Sequence, residues 1–555
     1  MARGDAKIIT QGDEVRSRLI SGAKKVYDAV AATYGPLSGN VAIQRNWGDA
    51  TVTHDGVSVA REVYLSDEVE DMGAGFLVQA SKKTNDIAGD GTSACAILSF
   101  HIMHKANQRI AAGYNPMGLR RGIEKASRYI KDELDKLATP IKDEDLHRVA
   151  AVSSGDEEIG KLVADTVVRA KGVGLTVEDY NGLGVIQDIV DGLYFEKGWA
   201  EAYFVTDRAT EECVLENVHI LVTDKKLTTN TDIVAILEKI GTQTEHKKVL
   251  IIGNVTGQAL QTCGLTHIRP ESPLQICVVN PPVYGDQVLP FLEDVAALTG
   301  GQLVPASLPP QDFDIAMLGL AEKIIVGRDS TTILEGKGDQ KTIGHRISDL
   351  MAQLKSDKYT AFQRERMELR LAKLQGKIGI IKVGGATDSE REELKARVVD
   401  AVHSTRAARE EGIVPGGAVT LAKLSIGGAV KDKDGKLGFD GGTSSSLMPK
   451  YESEGFQVVL EALVEPFKQL MANAGDDGGY RIKQIFSAPQ GHGFNVKNMT
   501  DEPIDLMEAG IFDPLKVIKQ VVENACSVAG LAITTSVAIT IDREYQIQQK
   551  QLNQQ

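Results

Sequence analysis

Helical periodicity brackets this chain at both ends and gives way to an α/β pattern in the middle. That order leaves few ways to fold it. Over 13–33 the apolar residues Val15, Leu19, Ile20, Ala23, Val26, Tyr27 and Val30 recur at helical spacing. Further helical patterns cover 76–88 and 92–112, and Asn115-Pro116-Met117-Gly118 opens another that ends near Leu137. Short strands are expected at 41–44 and 51–53, around the loop Asn46-Trp47-Gly48-Asp49. Past Thr139-Pro140 the texture is mixed, with a helix over 157–170 and a strand over 175–177. From about 191 to 377 apolar runs at 220–222, 249–252, 276–279 and 324–326 read as buried strands. Helical segments at 232–240, 257–265 and 287–298 lie between them, and a polar helical pair over 343–375, turning at Lys355-Ser356-Asp357, closes the block. A strand at 378–383 follows. Thr387-Asp388-Ser389-Glu390 then has capping-box form and starts a helix running to Glu411, ended by Gly412. The remainder to about 541 is again helical. It carries a Gly/Ser/Lys/Asp-rich excursion at 426–450, expected as a mobile loop, and a Gln-rich tail expected to be disordered. An order that reads nearly the same from either end implies nesting, a central piece inserted into an outer one.

The 555 residues are enough for two to four domains. A net charge of −14 argues against nucleic acid or an anionic membrane as the main partner. The five cysteines are scattered and never spaced as CxxC, so reduced thiols and no zinc site are expected. No apolar run reaches membrane-spanning length, and Met1-Ala2-Arg3-Gly4-Asp5 lacks a signal-peptide core. These features predict a cytoplasmic protein.

Between two of the helical patterns lies Asp86-Ile87-Ala88-Gly89-Asp90-Gly91-Thr92-Ser93. Glycine lets backbone N–H groups approach an anion, and a helix N-terminus offers unpaired donors at the positive end of its dipole. Phosphate fits that place, and Asp90 fits magnesium or an attacking water. The plainer reading is a tight turn with Thr92 as N-cap. Asp400 falls mid-helix among Val398, Val399, Ala401 and Val402, where a buried carboxylate needs a partner. That partner is either a metal-bound water or a salt bridge, unless the position is exposed. Gly416-Gly417 fits a base or ribose as well as an ordinary turn, and Asp513 before Pro514 reads first as a helix N-cap. No Walker A, GxGxxG-after-strand, nucleophile-elbow or HExxH pattern occurs.

Taken in order, Thr33-Tyr34-Gly35-Pro36, Asp55-Gly56-Val57-Ser58-Val59-Ala60-Arg61-Glu62, Gly89-Asp90-Gly91-Thr92-Ser93, Ala111-Ala112-Gly113-Tyr114-Asn115-Pro116 and the run from Ala407 to Ala418 are more specific. Together they closely resemble a GroEL-type group I chaperonin from about Asp13 to Asp542. The resemblance implies a multidomain α and α/β chaperonin fold. A mainly helical equatorial ATPase domain would comprise 1–136 and 412–555, a small α/β intermediate domain 137–190 and 378–411, and an α/β apical domain 191–377. It also implies ATP, Mg2+ and K+ as cofactors. Thr33, Tyr34, Gly35, Pro36, His54, Gly91, Thr92 and Ser93 would surround the phosphates, with Asp90 on magnesium and Thr33 and Ser93 on potassium. Asp55 and Asp400 would activate the attacking water, while Gly416, Gly417, Asn495, Val496 and Asp513 would hold base and ribose.

The same resemblance makes Trp199, Tyr203, Phe204, Val234, Leu237, Leu260 and Leu265 an apolar rim for non-native polypeptide, whereas periodicity alone makes them core. Gly264 stands where the family has a rim valine, and Glu201-Ala202 replaces Ser-Pro, which weakens the case for a GroES-type co-chaperonin. The expected partners are unfolded clients and further copies of the chain in a heptameric ring, single or double. Two rivals differ in class. One is a non-hydrolysing ring that holds or scaffolds clients, which has no need of three costly acids. The other is a small-molecule kinase with a Gly-Asp-Gly-Thr phosphate loop, for which no sugar- or acyl-binding template is present.

Overall fold

The helix Asp388–Glu411 begins and ends at the expected residues because its stop signals are written locally. Thr387 accepts from the Glu390 N–H at 3.2 Å, and Gly412 closes the other end at φ 86°. The reciprocal bond is shifted by one, since Glu390 takes the N–H of Ala386 rather than that of Thr387. This computed structural model describes residues 7–44, 50–170, 174–180, 182–208, 210–354, 367, 370–371, 373–426, 429–431, 437–439 and 448–542. The expected loop at 46–49, the turn at Lys355-Ser356-Asp357, the Gln-rich tail and most of 426–450 lie outside them. Within that last stretch, Ala429–Lys431 pairs antiparallel with Leu437–Phe439.

The chain divides into two units. The first takes residues 1–165, 179–185 and 383–555. Its frame is the helices Asp13–Ala31, Glu68–Ala88, Thr92–Ala111 and Pro116–Leu137 from one end of the chain, and Lys450–Ala462 and Leu515–Thr534 from the other. Their apolar faces meet in one core around Leu77, Leu98, Met103, Ile123, Phe456 and Val521. The chain ends also join directly, because strand Lys7–Gln11 pairs antiparallel with Val537–Ile541. A second closure pairs Ile413–Pro415 with Phe512–Pro514.

The second unit takes residues 166–178 and 186–382. Strands Cys213–Val222, Lys248–Ile252 and Gln275–Val279 run parallel, with the helices Asn230–Gln243 and Gly257–Ile268 as crossovers. Gly319–Val326 and Thr331–Gly336 add antiparallel strands on the other side. Thr331–Gly336 and the long strand Gly184–Phe195 were not expected from the sequence, where their polar interruptions hide the alternation. All five cysteines are buried and unbridged. Among the described residues no helix is long and apolar enough to cross a membrane.

Candidate functional site

Two glycines fold the loop between Glu68–Ala88 and Thr92–Ala111. Gly89 and Gly91 both take left-handed backbone, at φ 69° and 83°, where a Cβ is costly. The chain reverses within three residues and turns Asp90 into a cavity of 860 Å³, a size ordinary for ligand sites. Thr92 is the first helical residue and Gly91 the cap, so the expectation of Thr92 as N-cap is corrected. A β-branched residue would not take the positive φ that the cap position needs here. No side chain caps this helix end. Gly91, Thr92, Ser93 and Ala94 all line the cavity, which leaves the first turn available to an anion.

Asp55 enters as the N-cap of the short helix Gly56–Arg61, accepting from Val57 N–H at 3.2 Å, Ser58 N–H at 3.0 Å and Ser58 Oγ at 2.6 Å. Gly56 lets this turn lie against the Asp90 loop, since a Cβ there would stand 2.2 Å from Ser93 Oγ. Asp400 arrives on the Asp388–Glu411 helix. Burial drives its carboxyl well above the usual range, and the charges of Asp90 and Asp55 push the same way. Its remaining exposure is to the cavity it lines. Three carboxyl groups from separate elements therefore line one cavity.

The other predicted residues of the phosphate, base and ribose groups line the same cavity, with one exception. Gly416 sits behind the wall, its N–H bonded to Ile511 O at 2.9 Å and its Cα hydrogens toward Asp513. The expectation that it meets a ligand is corrected, because strand pairing at Ile413–Pro415 turns it inward; Gly417 and Ala418 present the surface instead. Asp513 is not a helix N-cap. It lies in Phe512–Pro514 opposite Val414, with Pro514 capping the next helix. Asn495 spends its Oδ1 on Lys497 N–H at 3.1 Å, which leaves its amide NH2 for a ligand, and Val496 beside it is buried in the wall. Tyr34 is half-buried, and desolvation with the charges of Asp513 and Asp90 raises its phenol. Asn473 fixes the Tyr34 turn by donating to Ala31 O at 2.8 Å and Tyr34 O at 2.7 Å.

Burial and Asp90 push the Asp513 carboxyl up to about 7, opposed by the Ala418 N–H that donates to it. The folded protein therefore keeps a proton that the unfolded chain loses near pH 4. The contribution of this group to stability falls as pH rises from 4 to 7 and levels off above that. Asp513→Asn is expected to raise unfolding stability at pH 8 by up to about 4 kcal/mol and to leave it unchanged at pH 4. Denaturant midpoints at the two pH values check this.

The donor set can be tested against the expected ions. The carboxylates of Asp55, Asp90 and Asp400 suit magnesium as hard oxygen donors, and a dication would relieve the repulsion that Asp90 and Asp55 exert on Asp400, but among the described residues no three acids stand together as a ready-made metal site. For potassium, Thr33 Oγ1 donates to Val30 O at 2.9 Å and can therefore only accept from Ser93 Oγ at 3.2 Å, which leaves lone pairs of the Ser93 oxygen for a cation.

Sequence reasoning missed Ser153, Ser404 and Arg397, which also shape this site. The Ser153-Ser154-Gly155 run at a helix end was the one available signal.

In the second unit the expected rim residues separate. Leu265 is 58% exposed and Val234 37%, with Ile268 adding 58% beside them. Trp199, Tyr203 and Leu260 are half-buried. Phe204 and Leu237 are buried in the core of the α/β unit, and their expected place on the surface is corrected. Helical phase explains this, since Leu237 shares the inward face with Ile233, Ile236 and Ile240. Tyr203 lies over Gly264, where a Cβ would meet its ring at 2.2 Å, so a valine there would displace the tyrosine.

A sequence model of the TCP-1/cpn60 chaperonin family matches residues 26–252 and 290–540. The chain belongs to that family. Its fold is accordingly the chaperonin fold, mixed α and α/β. Two crystal structures of the chaperonin gp146 from the bacteriophage EL 2 (Pseudomonas aeruginosa), both in the presence of ATP-BeFx, are similar to it. Each is 20% identical and covers 96% of this chaperonin and 99% of the phage chain, with TM-scores of 0.69 and 0.61. At that identity the likeness speaks for the fold.

Proposed function

We propose that this chaperonin hydrolyses ATP in the three-acid cavity and uses the cycle to bind and release non-native polypeptides within a ring of its own copies. The observation that carries the reading is the convergence of Asp55, Asp90 and Asp400 beside an uncapped helix N-terminus. The first turn of Thr92–Ala111 would receive the phosphates, Asp90 would hold magnesium, and Gly417, Asn495 and Asp513 would receive base and ribose. Bound magnesium would neutralise phosphate charge. Asp400 takes the proton of the attacking water, and Asp55, held rigid by its capping bonds, orients that water. This is hydrolysis by positioning and charge neutralisation, with no covalent intermediate. The phage chaperonin crystallised with ATP-BeFx supports the choice of nucleotide. Family membership supports a ring of subunits, and the three-domain division and the heptamer, single or double, are part of the same proposal.

Client binding falls to the exposed apolar residues Val234, Leu265 and Ile268, where several weak contacts add up around a ring. The test is refolding of a denatured client with and without ATP. A yield raised by ATP supports the reading, and capture without any ATP-dependent release would sink it in favour of a passive holdase. Leu265→Ser with Ile268→Ser should weaken capture of denatured client about tenfold, from the loss of two exposed aliphatic contacts. Light scattering of the aggregating client would read this out.

A further inference from the structure

The Asp388–Glu411 helix meets the phosphate loop through one face. Asp400, His403 and Ser404 follow at helical spacing. His403 packs where a Cβ on Gly89 would otherwise sit, 2.1 Å from its ring, and Ser404 Oγ donates to Asp90 Oδ2. A second donor reaches the same oxygen from the helix Leu146–Ser154, where Ser153 Oγ lies 2.7 Å from Asp90 Oδ2 and 2.7 Å from Ser404 Oγ. The other oxygen, Oδ1, takes the N–H of Gly91. Three oxygens thus form a triangle served by two hydroxyl protons. Either both serines donate to the carboxylate or one relays through the other, and both arrangements engage Oδ2 from the side of the two helices. Ser404 is fully buried, so its hydroxyl has little opportunity to turn to water instead.

We infer that Ser153 and Ser404 are positioning residues that clasp Asp90 and hold the Leu146–Ser154 and Asp388–Glu411 helices on the phosphate loop. The clasp fixes Asp400 over the site. It also competes for Asp90 Oδ2 with any metal that Asp90 takes up, and this second half alone rests on the proposed ATP reading. Charge-assisted hydrogen bonds of this kind are among the stronger polar contacts, so losing two of them should loosen the seam measurably.

The test is amide hydrogen exchange of the full chain without nucleotide, comparing wild type, Ser153→Ala and Ser153→Ala/Ser404→Ala. Exchange over 398–408 is expected to speed up about tenfold in the double variant and less in the single one. Ser153→Thr, which keeps the hydroxyl, should restore the slow rate. Because Ser153 lies on a different helix from the amides being read, a merely local effect would leave 398–408 unmoved, and that result would overturn the clasp. The single variant keeps the test open should the double one not fold. Calorimetric titration with magnesium and ADP addresses the competition, with tighter binding expected in the double variant by about threefold to tenfold. Unchanged or weaker binding would overturn that half. Wild-type protein that binds no magnesium-ADP would defeat the ATP reading while the exchange result still decides the clasp.

Discussion

Asp400→Ala should lower ATP turnover by about 10²- to 10⁴-fold while leaving nucleotide binding as tight as in wild type or tighter. The two effects separate for a physical reason. Asp400 is one of three carboxylates in one cavity, and its own ionisation is resisted by burial and by Asp90 and Asp55. Neutral or ionised, its carboxyl offers phosphate no attraction, so binding does not suffer from its loss. It also takes away the proton acceptor for the attacking water, so the chemical step does. Single-turnover hydrolysis beside equilibrium binding of ATP distinguishes the two. Turnover within a few-fold of wild type would remove Asp400 from the mechanism.

A comparable effect on stability is expected from a change that touches no functional group. The helices Asp13–Ala31 and Glu68–Ala88 cross at Gly22 and Gly73. A Cβ on Gly73 would stand 1.9 Å from Leu19 O, and one on Gly22 would stand 1.8 Å from Glu70 O. Backbone lies on the far side in both cases, so no side chain can yield and the helices must part. Gly73→Ala is expected to cost about 3 kcal/mol from overpacking, offset by up to about 1 kcal/mol of helix propensity. Gly75, two residues on in the same helix, has open space around its Cβ position, so Gly75→Ala should stabilise by about 0.5–1 kcal/mol. Opposite signs for the two variants in chemical denaturation would establish the crossing. Equal shifts would mean that packing there is looser than the structure has it. The Glu68–Ala88 helix ends at Gly89, so Gly73→Ala should also misplace Asp90.

The outer helices and the buried strands of the second unit were legible because each depends on a local pattern. Thr387 and Gly412 bound a helix by capping chemistry alone, and 249–252 and 276–279 read as strands from unbroken apolar runs, each found one residue longer at its start. Gly184–Phe195 was not legible, because Gln187, Asp188, Asp191 and Gly192 interrupt its alternation while it pairs within a sheet. At the site, the acids and glycines were readable through the family resemblance. The local reading failed at Asp513, where tertiary pairing made a strand residue of an expected N-cap, whereas Gly416-Gly417 is the turn that its local reading gave. Ser153 and Ser404 escaped notice because a serine in a helix is unremarked until its hydroxyl is seen to face a carboxylate 63 or 314 residues away in sequence. Phe204 and Leu237 show the opposite error. There the core reading from helical periodicity was right and the rim assignment was not.

Phosphate release from ATP by the purified chaperonin, followed with magnesium and then with excess chelator, tests the central claim most directly. The account predicts turnover that requires magnesium and is lost in Asp90→Asn, because that acid alone of the three projects from the phosphate loop. Hydrolysis that persists in chelator or survives Asp90→Asn, or no hydrolysis at all by the wild type, would contradict it.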